Sequence, residues 1–204
     1  VAETGSIALL TNEGNGRFVT SLPKVLITIM GMERIVPDLE KLDTVLSLLT
    51  MGANGQKTTS YISLINGPKL PEESDGPEEA YVIIVDNGRS KLLGTHFQDA
   101  LNCIRCGACL NVCPVFRQAG GHIYNSPYSG PIGAVISPLI LDFQEHAELS
   151  HASSLCGACD DACPVKIPLH HYLVDIREQD VRANSGFLEN AAYAAWAKIF
   201  STPK

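Results

Sequence analysis

The chain has 204 residues, of which 45% are hydrophobic and 18% are charged, as expected for a globular protein of one or two domains. Its formal net charge is −7 and it has no basic cluster, which argues against a nucleic-acid-binding protein. No hydrophobic run approaches the roughly 18 residues that a transmembrane helix needs, so the sequence predicts no membrane span.

The first part of the chain predicts alternating strands and helices. Short apolar runs predict four strands, at residues 7–10, 25–30, 61–65 and 81–85. The second run is almost wholly apolar, as in a strand covered on both faces. Residues 12–16 are predicted as a plain turn, and an amphipathic helix is predicted to begin at Pro37 and to end at Gly52.

Four strands with one long helix make only part of an α/β sheet layer. The chain also begins at Val1 rather than at a methionine, and it enters an apolar run almost at once. We therefore expect a piece of a longer protein, with a first domain at residues 1–89 and a second at 90–204.

The second part of the chain predicts a helical domain. Ser90 is expected to cap a helix that leads into the first cysteines, and residues 114–150, rich in glycine and proline, are predicted to be irregular. Pro168 is predicted to begin another helix, and a final apolar helix is expected at 187–200. Helices on both sides of the cysteines are typical of the α-helical ferredoxin domains of redox enzymes.

All seven cysteines lie in two runs of nearly the same spacing. The first run precedes Pro114 and consists of Cys103, Cys106, Cys109 and Cys113. The second run precedes Pro164 and consists of Cys156, Cys159 and Cys163, with Ser153 where a first cysteine would stand. The first spacing is that of bacterial ferredoxins, whose cysteines hold a [4Fe–4S] cluster. The sequence therefore predicts two iron–sulfur clusters that are not equivalent.

In two-cluster ferredoxins the last cysteine of each run ligates the other cluster. This rule assigns to cluster 1 the residues Cys103, Cys106, Cys109 and Cys163. It assigns to cluster 2 only Cys113, Cys156 and Cys159. The fourth corner of cluster 2 is then empty, as in a [3Fe–4S] cluster, or it carries water or a non-cysteine side chain. Ser153 is the candidate by position, and His151 and Asp160 lie nearby, whereas His170 and His171 are predicted to lie at the surface.

Structural zinc and disulfide bonds fit this pattern less well. Zinc sites usually contain two separated C-x2-C pairs or mixtures of cysteine and histidine. The iron–sulfur pattern accounts for every cysteine, and residues 1–102 contain none. Clustered cysteines without a secretion signal indicate a reducing compartment, so we expect the cytoplasm.

Six segments together resemble the lactate utilization protein B family. They are ETGS at 3–6, TNEGNGR at 11–17, LPKV at 22–25, DNGRS at 86–90, CIRCGAC at 103–109 and SLCGAC at 154–159. The resemblance implies an α+β chain, with the last part of a LUD domain, an α/β layer related to ribose-phosphate isomerases and CoA transferases, followed by an α-helical two-[4Fe–4S] ferredoxin-type domain. It also implies that the longer N-terminal stretch and part of the C-terminal tail of family members are absent. The three-cysteine second run is the family's own pattern.

The resemblance further implies an iron–sulfur subunit of a cytoplasmic complex that oxidises L-lactate to pyruvate. Its companions would be a cysteine-rich protein and a second LUD protein. The residues themselves indicate electron transfer and name neither a substrate nor an electron acceptor, because no nucleophile–base pair and no flavin or nicotinamide fingerprint is found. Two alternatives stay open: an open iron of cluster 2 binds or activates a hydroxy acid directly, or the chain is a sensor with a labile cluster.

Overall fold

The computed structural model of the chain describes residues 1–201. It contains the four predicted strands, β1 (Ile7–Thr11), β2 (Val25–Gly31), β3 (Tyr61–Ile65) and β4 (Glu79–Val85). They form two separate two-stranded sheets: β1 pairs antiparallel with β3, and β2 pairs parallel with β4. The register places Ile7 opposite Ile65 in the first sheet and Val25 opposite Glu79 in the second.

The prediction that β2 is covered on both faces is wrong for the described structure. Leu26 is buried, but the side chains of Ile27 and Ile29 are 57% and 68% exposed. The cause is that only β4 pairs with this strand and only one of its faces packs against the rest of the chain.

Two helices accompany the strands. Residues predicted as a plain turn begin helix α1 (Asn15–Ser21), and helix α2 spans Leu39–Asn54. Asp38 caps α2 by accepting the N–H of Lys41 at 2.8 Å, and Gly55 ends it in the left-handed conformation with φ of 74°. Gly52, which was expected to end the helix, lies inside it instead.

The remaining helices all follow the last strand. They are α3 (Ala108–Val112), α4 (Pro114–Ala119), α5 (Gly130–Ile140), α6 (Phe143–His146), α7 (Ala158–Ala162), α8 (Leu169–Asn184) and α9 (Phe187–Ser201). Helices α8 and α9 agree with the prediction. No helix within residues 1–201 is long and apolar enough to cross a membrane.

Two predictions for this part of the chain are wrong. Ser90 caps no α-helix; its N–H and hydroxyl bind the carboxylate of Asp86, and the chain continues through short 3₁₀ turns at Arg89–Leu92 and Gln98–Asn102. The segment 114–150 is not irregular, since it contains α4, α5 and α6. Helix α5 was missed because glycine and proline disfavour helices, whereas burial of the whole helix stabilises this one.

Helix α5 forms the centre of the hydrophobic core together with α8. Val135 and Ser137 of α5 and Leu173 and Ile176 of α8 are fully buried. The hydroxyl groups of Ser137 and Ser126 lie 2.6 Å apart, so the buried polar group is satisfied. The helical part of the chain therefore has a core of its own, and the cysteine loops lie around it.

We expect Leu173→Ala to lower the free energy of unfolding by about 2–5 kcal/mol, because it opens a cavity in this core. Val174→Ala on the same helix is the matched control, since Val174 is 47% exposed and its truncation should cost much less. Urea denaturation without oxygen, which protects the seven free thiols, measures both values. Equal losses for the two variants would contradict this description of the core.

Candidate metal centres

The two cysteine runs fold into loops with the same backbone. Arg105 and Leu155 occupy corresponding positions, and both adopt the left-handed conformation, with φ of 62° and 52°. Gly107 and Gly157 follow with φ of 79° and 77°, and each starts a short helix, α3 or α7, that ends at a Cys-Pro pair. The equivalence places Ser153 at the position of Cys103.

The first loop borders a cavity of about 180 Å³. Four cysteines line it: Cys103, Cys106, Cys109 and Cys163. The rest of the lining is mainly apolar and includes Tyr128, Ile132 and Leu169. The structure therefore brings together the four residues that the ferredoxin spacing assigns to cluster 1, including the one contributed by the second run.

The second loop borders a smaller cavity, of about 10 Å³. Its lining includes the other three cysteines, Cys113, Cys156 and Cys159. Ser153 and His170 line the same cavity. The three residues assigned to cluster 2 are thus also brought together, with one hydroxyl and one imidazole beside them.

The seven thiols are free, and four of them are buried. None of the seven cysteines is bonded to another. Burial, with the neighbouring Cys103 and Cys106, raises the pKa of Cys109 to about 12, and burial, with Asp160, raises the pKa of Cys159 to about 12. Binding of a metal would displace the protons of such thiols.

Backbone N–H groups already point at two of the sulfur atoms. Phe116 donates to Sγ of Cys113 at 3.5 Å, and Ile167 donates to Sγ of Cys163 at 3.4 Å. Exposed Cys156 differs from the buried thiols, because the backbone of Ala158 and the side chain of Ser154 lower its pKa. Thiol groups clustered around two cavities, with N–H groups directed at sulfur, fit the donor set of iron–sulfur clusters.

Helix α2 approaches the first loop closely at Gly52. A Cβ atom at this position would lie 3.2 Å from Sγ of Cys106 and 3.3 Å from Cγ of Pro164. A Cβ atom would crowd these two atoms, so this glycine serves close packing inside the helix and does not end it.

A buried group of charges joins the strand-containing part to the first loop. Nη1 of Arg34 donates to the carbonyl of Cys103 at 2.7 Å. The carboxylate of Glu33 lies 2.6 Å from Nε of Arg89 and 3.5 Å from Nη2 of Arg105. The side chains of Glu33 and Arg89 are only 7% and 8% exposed. We name these four residues the basic network.

Tyr128 holds two members of the basic network in place. Its hydroxyl accepts a hydrogen bond from Arg89 at 2.8 Å, and the guanidinium of Arg105 lies 4.0 Å from the centre of its ring. Burial alone would raise the pKa of Glu33, but a backbone hydrogen bond and Arg89 outweigh burial and lower it. Three guanidinium groups and one carboxylate thus leave two net positive charges beside Cys103.

The structure separates the candidates for the fourth corner of cluster 2. His151 forms a pair with Asp180 at 2.9 Å and does not line the second cavity. Asp160 binds His170 instead, through the N–H at 2.8 Å and through Nδ1 at 2.5 Å. His171 is exposed as predicted, whereas His170 is half-buried. Sequence reasoning missed His170 because ten residues separate it from Asp160 and no metal-binding spacing includes it.

Comparisons with known proteins agree with both halves of this description. The sequence model of the LUD domain family matches residues 1–85, and that of the 4Fe-4S dicluster domain family matches residues 99–167. The chain is 59% identical over 181 residues to lactate utilization protein B of Bacillus licheniformis and 60% identical over 181 residues to that of Bacillus subtilis. Each alignment covers 89% of this chain and 38% of the relative.

A third relative, lactate utilization protein B of Macrococcus caseolyticus, is 62% identical over 177 residues, which is 87% of this chain and 37% of the relative. The chain thus spans less than two fifths of the length of these relatives. No solved structure matches it significantly. The matches show a LUD domain followed by a 4Fe–4S dicluster domain, in a chain that along most of its length is about 60% identical to proteins named lactate utilization protein B.

Proposed function

We propose that this chain is the iron–sulfur electron-transfer part of a complex that oxidises L-lactate to pyruvate. The observation that carries the proposal is the grouping of all seven cysteines around two cavities, next to a LUD domain. Relatives about 60% identical to the chain are named lactate utilization protein B, which supports lactate as the substrate of the complex.

The ligands follow from the linings of the two cavities. The first site would be held by Cys103, Cys106, Cys109 and Cys163, and the second by Cys113, Cys156 and Cys159. Bound there, two iron–sulfur clusters would each accept and pass on one electron, so that the pair could take the two electrons that oxidation of lactate to pyruvate releases.

The protein's own contribution would be to bind the two clusters, to surround them with its side chains and to set how readily each accepts an electron. Apolar side chains such as Ile132 and Leu169 line the first cavity and make its surroundings less polar. The two net positive charges of the basic network favour the addition of an electron beside Cys103, since added negative charge is stabilised there. No substrate-binding side chain needs to be present, because the chemistry of lactate would take place elsewhere in the complex.

The assembly is part of the same proposal. We place the border between the LUD part and the ferredoxin-type part at residues 89 and 90, where Arg89 joins both. The companion subunits would be a cysteine-rich protein and a second LUD protein, in the cytoplasm. They would supply the site at which lactate is oxidised.

We expect Cys113→Ser to damage the second site and Cys163→Ser to damage the first, although each residue belongs to the opposite run. The physical reason is that each cysteine lines the cavity of the other loop. Electron paramagnetic resonance of anaerobically purified protein, with iron and sulfide counted, measures the loss. If Cys113→Ser removed only the first cluster, the assignment would be wrong.

Arg34→Gln should lower the midpoint potential of the first site by tens of millivolts. Unit charges about 4 Å apart interact by roughly 1–4 kcal/mol at dielectric constants of 80 to 20, so loss of a nearby cation disfavours the added electron. Arg34→Lys keeps the charge and should shift the potential less. Lys41→Gln removes the same charge from an exposed position and is the matched control. A redox titration followed by paramagnetic resonance would contradict the role of the basic network if all three variants behaved alike.

Reduction by lactate tests the proposed function itself. We expect L-lactate to reduce the clusters only when the companion subunits are present, because the proposal places the oxidation of lactate in those subunits. D-Lactate is the control for the substrate. Rapid reduction of the isolated chain by L-lactate would favour direct binding of the hydroxy acid at the second site, and no reduction in the assembled complex would contradict the proposal.

A further inference from the structure

We propose that His170 is the fourth ligand of the second site and that Asp160 orients it. The inference rests on the proposed function, because it takes Cys113, Cys156 and Cys159 as the other three ligands. His170 lines the same cavity as these cysteines, in the first turn of α8. It therefore borders the same space as the three cysteines.

Two contacts to Asp160 fix the position of His170. One carboxylate oxygen accepts the backbone N–H of His170 at 2.8 Å, and the other lies 2.5 Å from Nδ1 of its ring. When Nδ1 carries the proton of this hydrogen bond, the lone pair of the imidazole is on Nε2, which forms no hydrogen bond within residues 1–201. Histidines that bind metals usually donate their other ring N–H to a carboxylate in this way.

The location of Asp160 makes the pairing specific to the second loop. Asp160 follows Cys159 directly and belongs to α7, while His170 begins the next long helix. The corresponding residue after Cys109 is Leu110, which has no acceptor and lines the first cavity instead. The two loops share a backbone, but only the second has a histidine with an acidic partner beside its cysteines.

Ser153 is the rival ligand, because it stands where the first loop has Cys103. Its hydroxyl oxygen accepts the N–H of Leu155 at 3.2 Å, and Arg177 binds its carbonyl at 2.7 Å. These contacts give Ser153 a structural role in shaping the loop. A serine would also have to lose its proton to bind iron as an alkoxide, whereas neutral imidazole binds without this cost, as in Rieske centres.

Isotope labelling and substitution together test the assignment. We expect the reduced second cluster to show a nitrogen hyperfine coupling in pulsed paramagnetic resonance that changes when only histidine is labelled with ¹⁵N. His170→Ala should abolish this coupling and leave about one iron ion fewer per chain, as in a [3Fe–4S] cluster. His151→Ala is the control, because His151 pairs with Asp180 and does not line the second cavity.

Several results would overturn the assignment. A wild-type second [4Fe–4S] cluster without histidine coupling, or a coupling that survives in His170→Ala, would contradict it. Loss of iron in Ser153→Ala but not in His170→Ala would assign the fourth ligand position of cluster 2 to Ser153. The proposed function survives these results if Cys113→Ser still removes the second cluster. A purified wild-type chain that holds no second cluster would instead overturn both.

Discussion

The exchange of one cysteine between the two cysteine loops is the constraint on which the structure of the helical part depends. Each loop sends its last cysteine into the cavity of the other loop, Cys113 to the second and Cys163 to the first. Neither set of thiols is complete until both loops lie side by side. The connection between them contains α5, and burial of that helix against α8 holds the two loops together. The hydrophobic core and the two cysteine-lined cavities therefore belong to one packed unit.

The basic network extends this unit into the LUD part of the chain. Arg34 donates to the carbonyl of Cys103. Glu33 pairs with Arg89, and both of these side chains are nearly buried, while the other partner of Glu33, Arg105, is about one third exposed. Removing one partner of a buried ion pair typically costs about 3–5 kcal/mol, because the other charge is left unpaired. The network thus fixes the position of the first loop against the LUD part and also sets the charge around it.

The sequence alone predicts the strands and the grouping of the cysteines well, because both depend on local patterns. Apolar runs mark the strands, and fixed intervals between cysteines reflect the geometry of a single loop. It does not predict α5, whose Gly130, Pro131 and Pro138 disfavour a helix that only tertiary burial stabilises. The prediction that Gly52 ends a helix is wrong for a similar reason. The small size of this residue serves a contact with Cys106, which lies far away in the sequence.

The same limit applies to the sites. The roles of Glu33, Arg34 and His170 depend on residues that come close only in the folded chain. Spacing can assign ligands within a loop, but it carries no information on a carboxylate or guanidinium that reaches the loop from another element. The sequence thus indicated two inequivalent sites through Ser153, and the structure adds a second source of inequivalence in the surrounding charges.

These surroundings give the two proposed sites different electronic properties on nearly identical backbones. The first cavity is apolar and lies beside a net positive charge. The second has an exposed cysteine, Cys156, and an aspartate next to Cys159, whose charge opposes the arrival of an electron. In the proposed relay, the basic network stabilises an electron at the first site, whereas the proposed neutral imidazole in place of a thiolate removes one negative charge from the second site and raises its potential. The surrounding charges and the ligand set therefore act in opposite directions on the order of the two potentials.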